Sequence, residues 1–240
     1  MVKSKEEIEL TRKLARLCDI SAAAVDQEIR EGETEIEVSF RAEKALCKEY
    51  SKEFPEFDYV PGQLGVKGGT RIWGHHGSVG RKLQKGDLVA VSATPIVMGY
   101  FSTIIRKRSI GKPPADVLRY HDIILEAQDR CIEAIKPGVT FSEIDRVALK
   151  VFETHDVAQY KGFGTGHSHG LMGPFWGREK KGEYRPYNDT PLKAGMITSM
   201  EPSLFVPGTG VLIVNDMVLV TETGAKVMTK YPRGFRTFGE

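Results

Sequence analysis

Ile29-Arg30-Glu31-Gly32-Glu33-Thr34 (IREGET) and Ile135-Lys136-Pro137-Gly138-Val139-Thr140 (IKPGVT) share a junction at a constant offset of 106, from Ile29 to Ile135, Gly32 to Gly138 and Thr34 to Thr140. Before the first copy, Ile8, Leu10, Leu14, Leu17, Ile20, Ala24 and Val25 recur at helical spacing. A glycine that breaks such a pattern, with threonine two residues later, ends one helix and caps the next. The spacing predicts helices over Ser4–Ile29 and Glu35–Phe54, then over Ala115–Ile135 and Ser142–Glu153. Ser4, with Glu7 three residues on, has the form of a capping box. Residues 55–74 read as turn-rich with extended pieces; residues 87–94 and 97–106 read as a hairpin whose second strand starts near Gly99. Two helices followed by strands, twice over, predict two pseudo-equivalent α+β halves sharing one sheet.

Composition narrows the function. The chain has 240 residues, 40% hydrophobic and 28% charged, with a formal net charge of +2 and both signs interspersed. That balance offers no patch for nucleic acid or an anionic membrane. Cys18, Cys47 and Cys131 are odd in number and widely spaced, which fits buried free thiols better than disulfides or a Cys-based zinc site. The start, MVKSKEEIEL, has no apolar core of a leader, and no run is long enough for a membrane span. The expectation is a cytoplasmic protein.

Chemistry concentrates in Gly162–Pro202, GFGTGHSHGLMGPFWGREKKGEYRPYNDTPLKAGMITSMEP. His167 and His169 sit among glycines, which leaves little side-chain bulk around the imidazoles. An apolar run with Phe175 and Trp176 follows, then Arg178 and Glu179, and Glu201 stands just before Pro202 at the end of a predicted strand. Imidazole, guanidinium, carboxylate and an aromatic wall are the ingredients of a small-molecule site.

These residues resemble a known family. GDLVAVSATPIVMGYFSTIIRK, IKPGVTFSEID, GHSHG, SMEP and GVLIVNDMVLVTETGAKVMTKYP look like the pita-bread family of creatinase, aminopeptidase P, prolidase and methionine aminopeptidase. WGRE (Trp176–Glu179), SMEP and the ending with Thr229, Lys230, Pro232 and Gly234 look most like creatinase. The resemblance implies an α+β pita-bread fold, with two pseudo-symmetric helix–helix–strand halves around a curved, mainly antiparallel sheet. It covers the catalytic domain alone, so residues 1–240 are expected to form one creatinase-like catalytic domain without the separate N-terminal domain of creatinase and prolidase.

The family's metallopeptidases hold two metal ions with two hairpin aspartates, a histidine and two late glutamates. The matching positions here are Ser92, Thr103, His167, Glu201 and Asn215. Neutral Ser, Thr and Asn cannot offset the charge of two divalent ions, so no catalytic metal and no cofactor is expected. His167, His169 and Glu201 stand as the alternative, mononuclear set. By the same resemblance His75 matches the histidine that serves creatinase as general base and acid, although adjacent His76 could take its place after a one-residue gap. Arg178 resembles the arginine that grips the substrate carboxylate. Glu201 resembles a glutamate holding a cationic substrate, and it could equally orient His75 or His167.

Ile105 replaces an acid that precedes the arginine matching Arg106, which makes the pocket drier and argues against creatine itself. Phe101, Trp176, Trp73, Tyr100 and Phe175 suit a neutral, aromatic substrate. The expected function is therefore metal-independent lyase or C–N hydrolase chemistry on a small carboxylate- or hydroxyl-bearing molecule. His75, His167 and Glu201 would be catalytic, and Arg178, His169, Ile105, Phe101 and Trp176 would bind substrate. A divergent metallo-aminopeptidase or prolidase and a non-catalytic binding module of the same fold are the alternatives. The resemblance also implies a homodimer.

Overall fold

A computed structural model describes residues 1–69, 77–171 and 182–239. Ser4 caps α1 (Lys5–Glu28) and Thr34 caps α2 (Glu35–Glu53); in both, the cap hydroxyl accepts from the N3 amide while the N3 glutamate bonds back to the cap amide. α3 (Ala115–Ala134) starts after Pro114 without a side-chain cap, and α4 (Phe141–Thr154) has the same reciprocal box at Thr140 and Glu143. Gly32 and Gly138 adopt φ of 85° and 94° at the two junctions, a conformation that favours glycine. The repeat seen in the sequence is therefore a repeat of structure. Among the described residues, no helix is long and apolar enough to cross a membrane.

β1 (Val60–Gly68), β2 (Leu88–Val97), β3 (Tyr100–Phe101), β4 (Ile104–Ile110) and β10 (Arg236–Phe238) form one sheet, antiparallel except where β10 joins β4. β5 (Ile197–Met200), β8 (Asp216–Val220) and β9 (Ala225–Val227) form a second, and β6 (Ser203–Val206) pairs with β7 (Gly210–Ile213). The expected single sheet is thus divided. Its halves meet where the Ile105 and Asn215 backbones exchange hydrogen bonds of 3.4 and 3.1 Å. Within residues 55–74, read as turn-rich with extended pieces, lies β1, a nine-residue strand paired along β2.

α1 and α2 cover the first sheet through Val25, Ile29, Val38 and Ala42 against Val66, Val89, Val91 and Ile110. α3 and α4 build the larger core with β5–β8, where Ile124, Cys131, Phe141 and Phe152 meet Met200, Leu204, Leu212 and Val218. Between the halves, buried Arg106 binds Asp216 at 2.6 Å and also donates to the Asn215 and Tyr231 carbonyls, both at 2.7 Å. All three cysteines are free; Cys18 and Cys131 are buried and Cys47 is partly exposed.

Candidate functional site

Segment 165–169 runs antiparallel to β5. His169 N donates to Ile197 O, Ser199 N to His167 O and Glu201 N to Thr165 O, each at 2.8 Å. That register puts His167 and Glu201 at diagonal positions on one face of the ladder. α4 secures the segment, because Asp145 accepts from both the Thr165 amide (3.1 Å) and its hydroxyl (2.6 Å). The glycines of GFGTGHSHG serve this packing rather than open space around the imidazoles. A Cβ on Gly162 would strike the Phe205 ring, one on Gly164 the Tyr184 carbonyl, and one on Gly166 the Ser199 carbonyl.

The structure brings together most of the expected residues that it describes. His167 Nε2 lies 3.5 Å from Glu201 Oε1. Its Nδ1 lies 3.0 Å from the Ser168 carbonyl, which only accepts, so the Nδ1 proton is held and Nε2 is the nitrogen left for exchange. Glu201 Oε2 accepts from Asn215 Nδ2 at 2.6 Å, so the carboxylate is held from both sides. His169 stacks on His167 with ring centroids 4.7 Å apart and planes at 12°, and Phe101 packs on His169 at 4.5 Å. Both His169 and Phe101 are buried, and act as a wall behind His167. Ile105 is half-buried and lies across from Ser92 on β2 and from Asn215. His75, Trp176 and Arg178, with His76, Trp73 and Phe175, lie outside the described residues.

The donor set does not fit the metal centre that the fold family implies. Ser92 and Thr103 are neutral, and Asn215 turns an N–H donor, not a lone pair, toward Glu201. Nitrogen lone pairs lie in the ring plane, so two nearly parallel stacked imidazoles cannot both aim at one ion beside Glu201. Among the described residues, no group of three or more His, Cys, Asp or Glu is placed to hold a metal.

Two residues beside this site escaped the reading of the sequence. Lys67 on β1 and Lys107 on β4 lie across from Ala90 on β2, on the face that carries Gly65, Ser92 and Ile105 one pleat further along. A signal was present. Arg106-Lys107-Arg108 runs through a strand, and alternation must turn its middle cation to the face opposite its neighbours.

Comparison with known proteins agrees with this architecture. The model of metallopeptidase family M24 matches residues 9–222. The chain is 32% identical over 239 residues to creatinase of Bacillus sp. (strain B-0618), covering 98% of this chain and 58% of that protein. It is 34% identical over 234 residues to Xaa-Pro dipeptidase of Pyrococcus furiosus, covering 97% of this chain and 64% of the relative. The X-Pro aminopeptidase of Thermotoga maritima MSB8 superimposes with a TM-score of 0.88 at 26% identity, over 99% of this chain and 64% of that one. The chain therefore spans less than two thirds of the length of these relatives. With its helix–helix–strand halves, its His167–Glu201 ladder and a family match over most of its length, the chain belongs to metallopeptidase family M24.

Proposed function

We propose that residues 1–240 form the catalytic portion of a creatinase-like enzyme that works by proton transfer without a metal. Its substrate is a small molecule bearing a carboxylate or a hydroxyl group, aromatic molecules included. The observation that carries the reading is the chain Asn215–Glu201–His167: an amide holds the carboxylate, and the carboxylate faces the exchangeable nitrogen of the imidazole. A histidine so placed can accept and return a proton near neutral pH. His75 and Arg178 enter through the family resemblance, as a second proton-transfer group and a carboxylate clamp. Replacing an acid by Ile105 removes a partner for a guanidinium, which favours lyase chemistry begun by proton abstraction over C–N hydrolysis. Similarity to creatinase supports the small-molecule substrate, and the family resemblance supports a cytoplasmic homodimer.

Similarity to Xaa-Pro dipeptidase favours a second reading, a metal-dependent dipeptidase. One experiment separates the two. Protein purified without chelator or metal-binding tag is analysed for metal, then assayed with and without EDTA on small carboxylates, aromatic alcohols and X-Pro dipeptides. Turnover of a small molecule that survives EDTA, and falls about 100-fold or more in His167→Ala and Glu201→Gln, is the expected result. Near-stoichiometric metal with EDTA-sensitive X-Pro cleavage would establish the dipeptidase instead.

A further inference from the structure

The hairpin of β2 with β3 and β4 keeps one register where it borders the site. Ile96 pairs with Phe101 and Ser92 with Ile105; between them the Thr94 and Thr103 hydroxyls lie 3.2 Å apart. Phe101, Thr103 and Ile105 therefore alternate onto one face. Both neighbours of Thr103 reach the other half. Phe101 packs on His169 at 4.5 Å, and Ile105 pairs through its backbone with Asn215, whose amide holds Glu201. On the facing ladder His169 bonds to Ile197, Ser199 to His167 and Glu201 to Thr165, so His167 stands between the positions of His169 and Glu201. Thr103, between Phe101 and Ile105, accordingly faces His167.

A hydroxyl has one proton to donate. Thr94 Oγ1 donates its proton to Thr103 Oγ1 and is only 5% exposed, so little water competes for that bond. The Thr103 proton is left over, and among the described residues no acceptor takes it. Thr103 itself is half-buried, open enough to touch a ligand. Accepting one hydrogen bond polarises a hydroxyl and strengthens the bond it donates. Beside it Phe101 and Ile105 are apolar and the Asn215 amide is turned to Glu201, so this stretch of the face offers the Thr103 proton. Across the divide stand a carboxylate and a base, which accept protons and repel negative charge.

We propose that Thr103 is a catalytic oxyanion donor, held in aim by Thr94 as a positioning residue, and that the substrate carries a C–H bond next to a carbonyl or carboxyl carbon. His167 Nε2 takes that proton. The C–H electron pair becomes a carbon–carbon double bond, the carbonyl pair moves onto oxygen, and the Thr103 O–H donates to the enolate oxygen so formed. The substrate thus lies across the divide, its acidic carbon toward the second half and its oxygen toward the first. The inference deepens the Proposed function and rests on its proton-transfer reading of His167.

The first test needs no turnover. 4-Nitrophenolate, whose charged oxygen stands in for the enolate oxygen, is titrated into the full chain in mildly alkaline buffer and followed by its visible absorbance, with 4-nitroanisole as the uncharged control. The phenolate should bind at least about tenfold more tightly than the anisole. Thr103→Val, close in shape and with native circular dichroism, should weaken the phenolate about tenfold or more and leave the anisole unchanged; Thr103→Ser should retain binding. Thr94→Val should weaken it about threefold, and Thr94→Ser should not. The second test takes the molecule turned over in the screen above: Thr103→Val should lower kcat about 100-fold with little change in KM. The donor role is overturned if folded protein does not bind the phenolate, if Thr103→Val binds it as tightly, or if Thr103→Val raises KM at unchanged kcat. Turnover that needs His167 and is untouched in Thr103→Val would sink the oxyanion donor alone. Thr103-dependent phenolate binding to protein that turns nothing over would sink the proton-transfer reading alone.

Discussion

The half built on α1 and α2 and the half built on α3 and α4 begin with the same junction, yet they bring opposite chemistry to the site. The first supplies Ser92, Thr103, Ile105, Lys67 and Lys107, all neutral or basic; the second supplies His167, His169, Glu201 and Asn215. Junctions and caps answer to backbone hydrogen bonding, which both halves must satisfy in the same way. Side chains on the strand faces answer to what they meet across the divide, and there the two copies have parted. The site is a product of their meeting, not of either copy.

That comparison breaks hardest where the halves are tied. Arg106 and Asp216 are fully buried, and Arg106 holds three further carbonyl groups from the β8 lead-in and the C-terminal segment. Asp216→Ala leaves the guanidinium without its counter-charge and should remove about 3–5 kcal/mol of stability in urea unfolding. Arg106→Met combined with Asp216→Leu should lose less than Asp216→Ala alone, because neither charge is then stranded. A loss below about 1 kcal/mol for Asp216→Ala would mean that the apolar cores, rather than this pair, unite the halves.

Lys107 gives the next effect, of opposite sign. An amine buried without a hydrogen bond is costly, so Lys107→Met, close in volume and apolar, should stabilise the chain by about 1–3 kcal/mol. The pH dependence follows from the lowered proton affinity. The unfolded chain keeps the proton up to about 10.5, whereas the folded chain releases it well below that value. Unfolding therefore takes up a proton in that window, and stability contributed by Lys107 rises as pH rises toward 10.5. The Lys107→Met variant should show a flatter curve. An unchanged slope would show that the amine keeps its proton in the fold.

Much of the fold was legible in the sequence because it rests on local rules. Ser4, Thr34 and Thr140 cap helices where their spacing to Glu7, Glu37 and Glu143 requires, and the hairpin turns at Gly99 with φ of 81°. β1 was legible only as extended pieces, because Gly62, Gly65 and Gly68 hide its alternation. The first two are there for close approach: a Cβ on Gly62 would strike the Thr94 carbonyl, and one on Gly65 would crowd Ser92. The partnership of His167 with Glu201 came from family resemblance, since ladder register cannot be read from residues 34 positions apart. The grip of Asn215 on Glu201 and the row Lys67–Ala90–Lys107 depend on register in the same way.

The smallest effect tests how closely the two junctions are alike. Thr34 and Thr140 each accept from the N3 amide at 3.2 Å, so Thr34→Ala and Thr140→Ala should each lose about 1 kcal/mol. The return bonds differ. Glu143 reaches the Thr140 amide at 2.7 Å, and that bond is the main reason its carboxyl lies below the usual range. Glu37 reaches the Thr34 amide at only 3.3 Å, and the Thr34 hydroxyl, at 2.6 Å, lowers it most. Both contributions are present above the ordinary glutamate range and fade as pH falls through the lowered folded value. Thr34→Val removes the hydroxyl and should return Glu37 most of the way to its ordinary value. Thr140→Val leaves the amide in place and should leave most of the Glu143 shift intact. Carboxyl carbon-13 titration of the two variants measures this directly. Equal loss of both shifts would mean that the hydroxyl organises both caps, and that the halves are alike at their junctions down to individual hydrogen bonds.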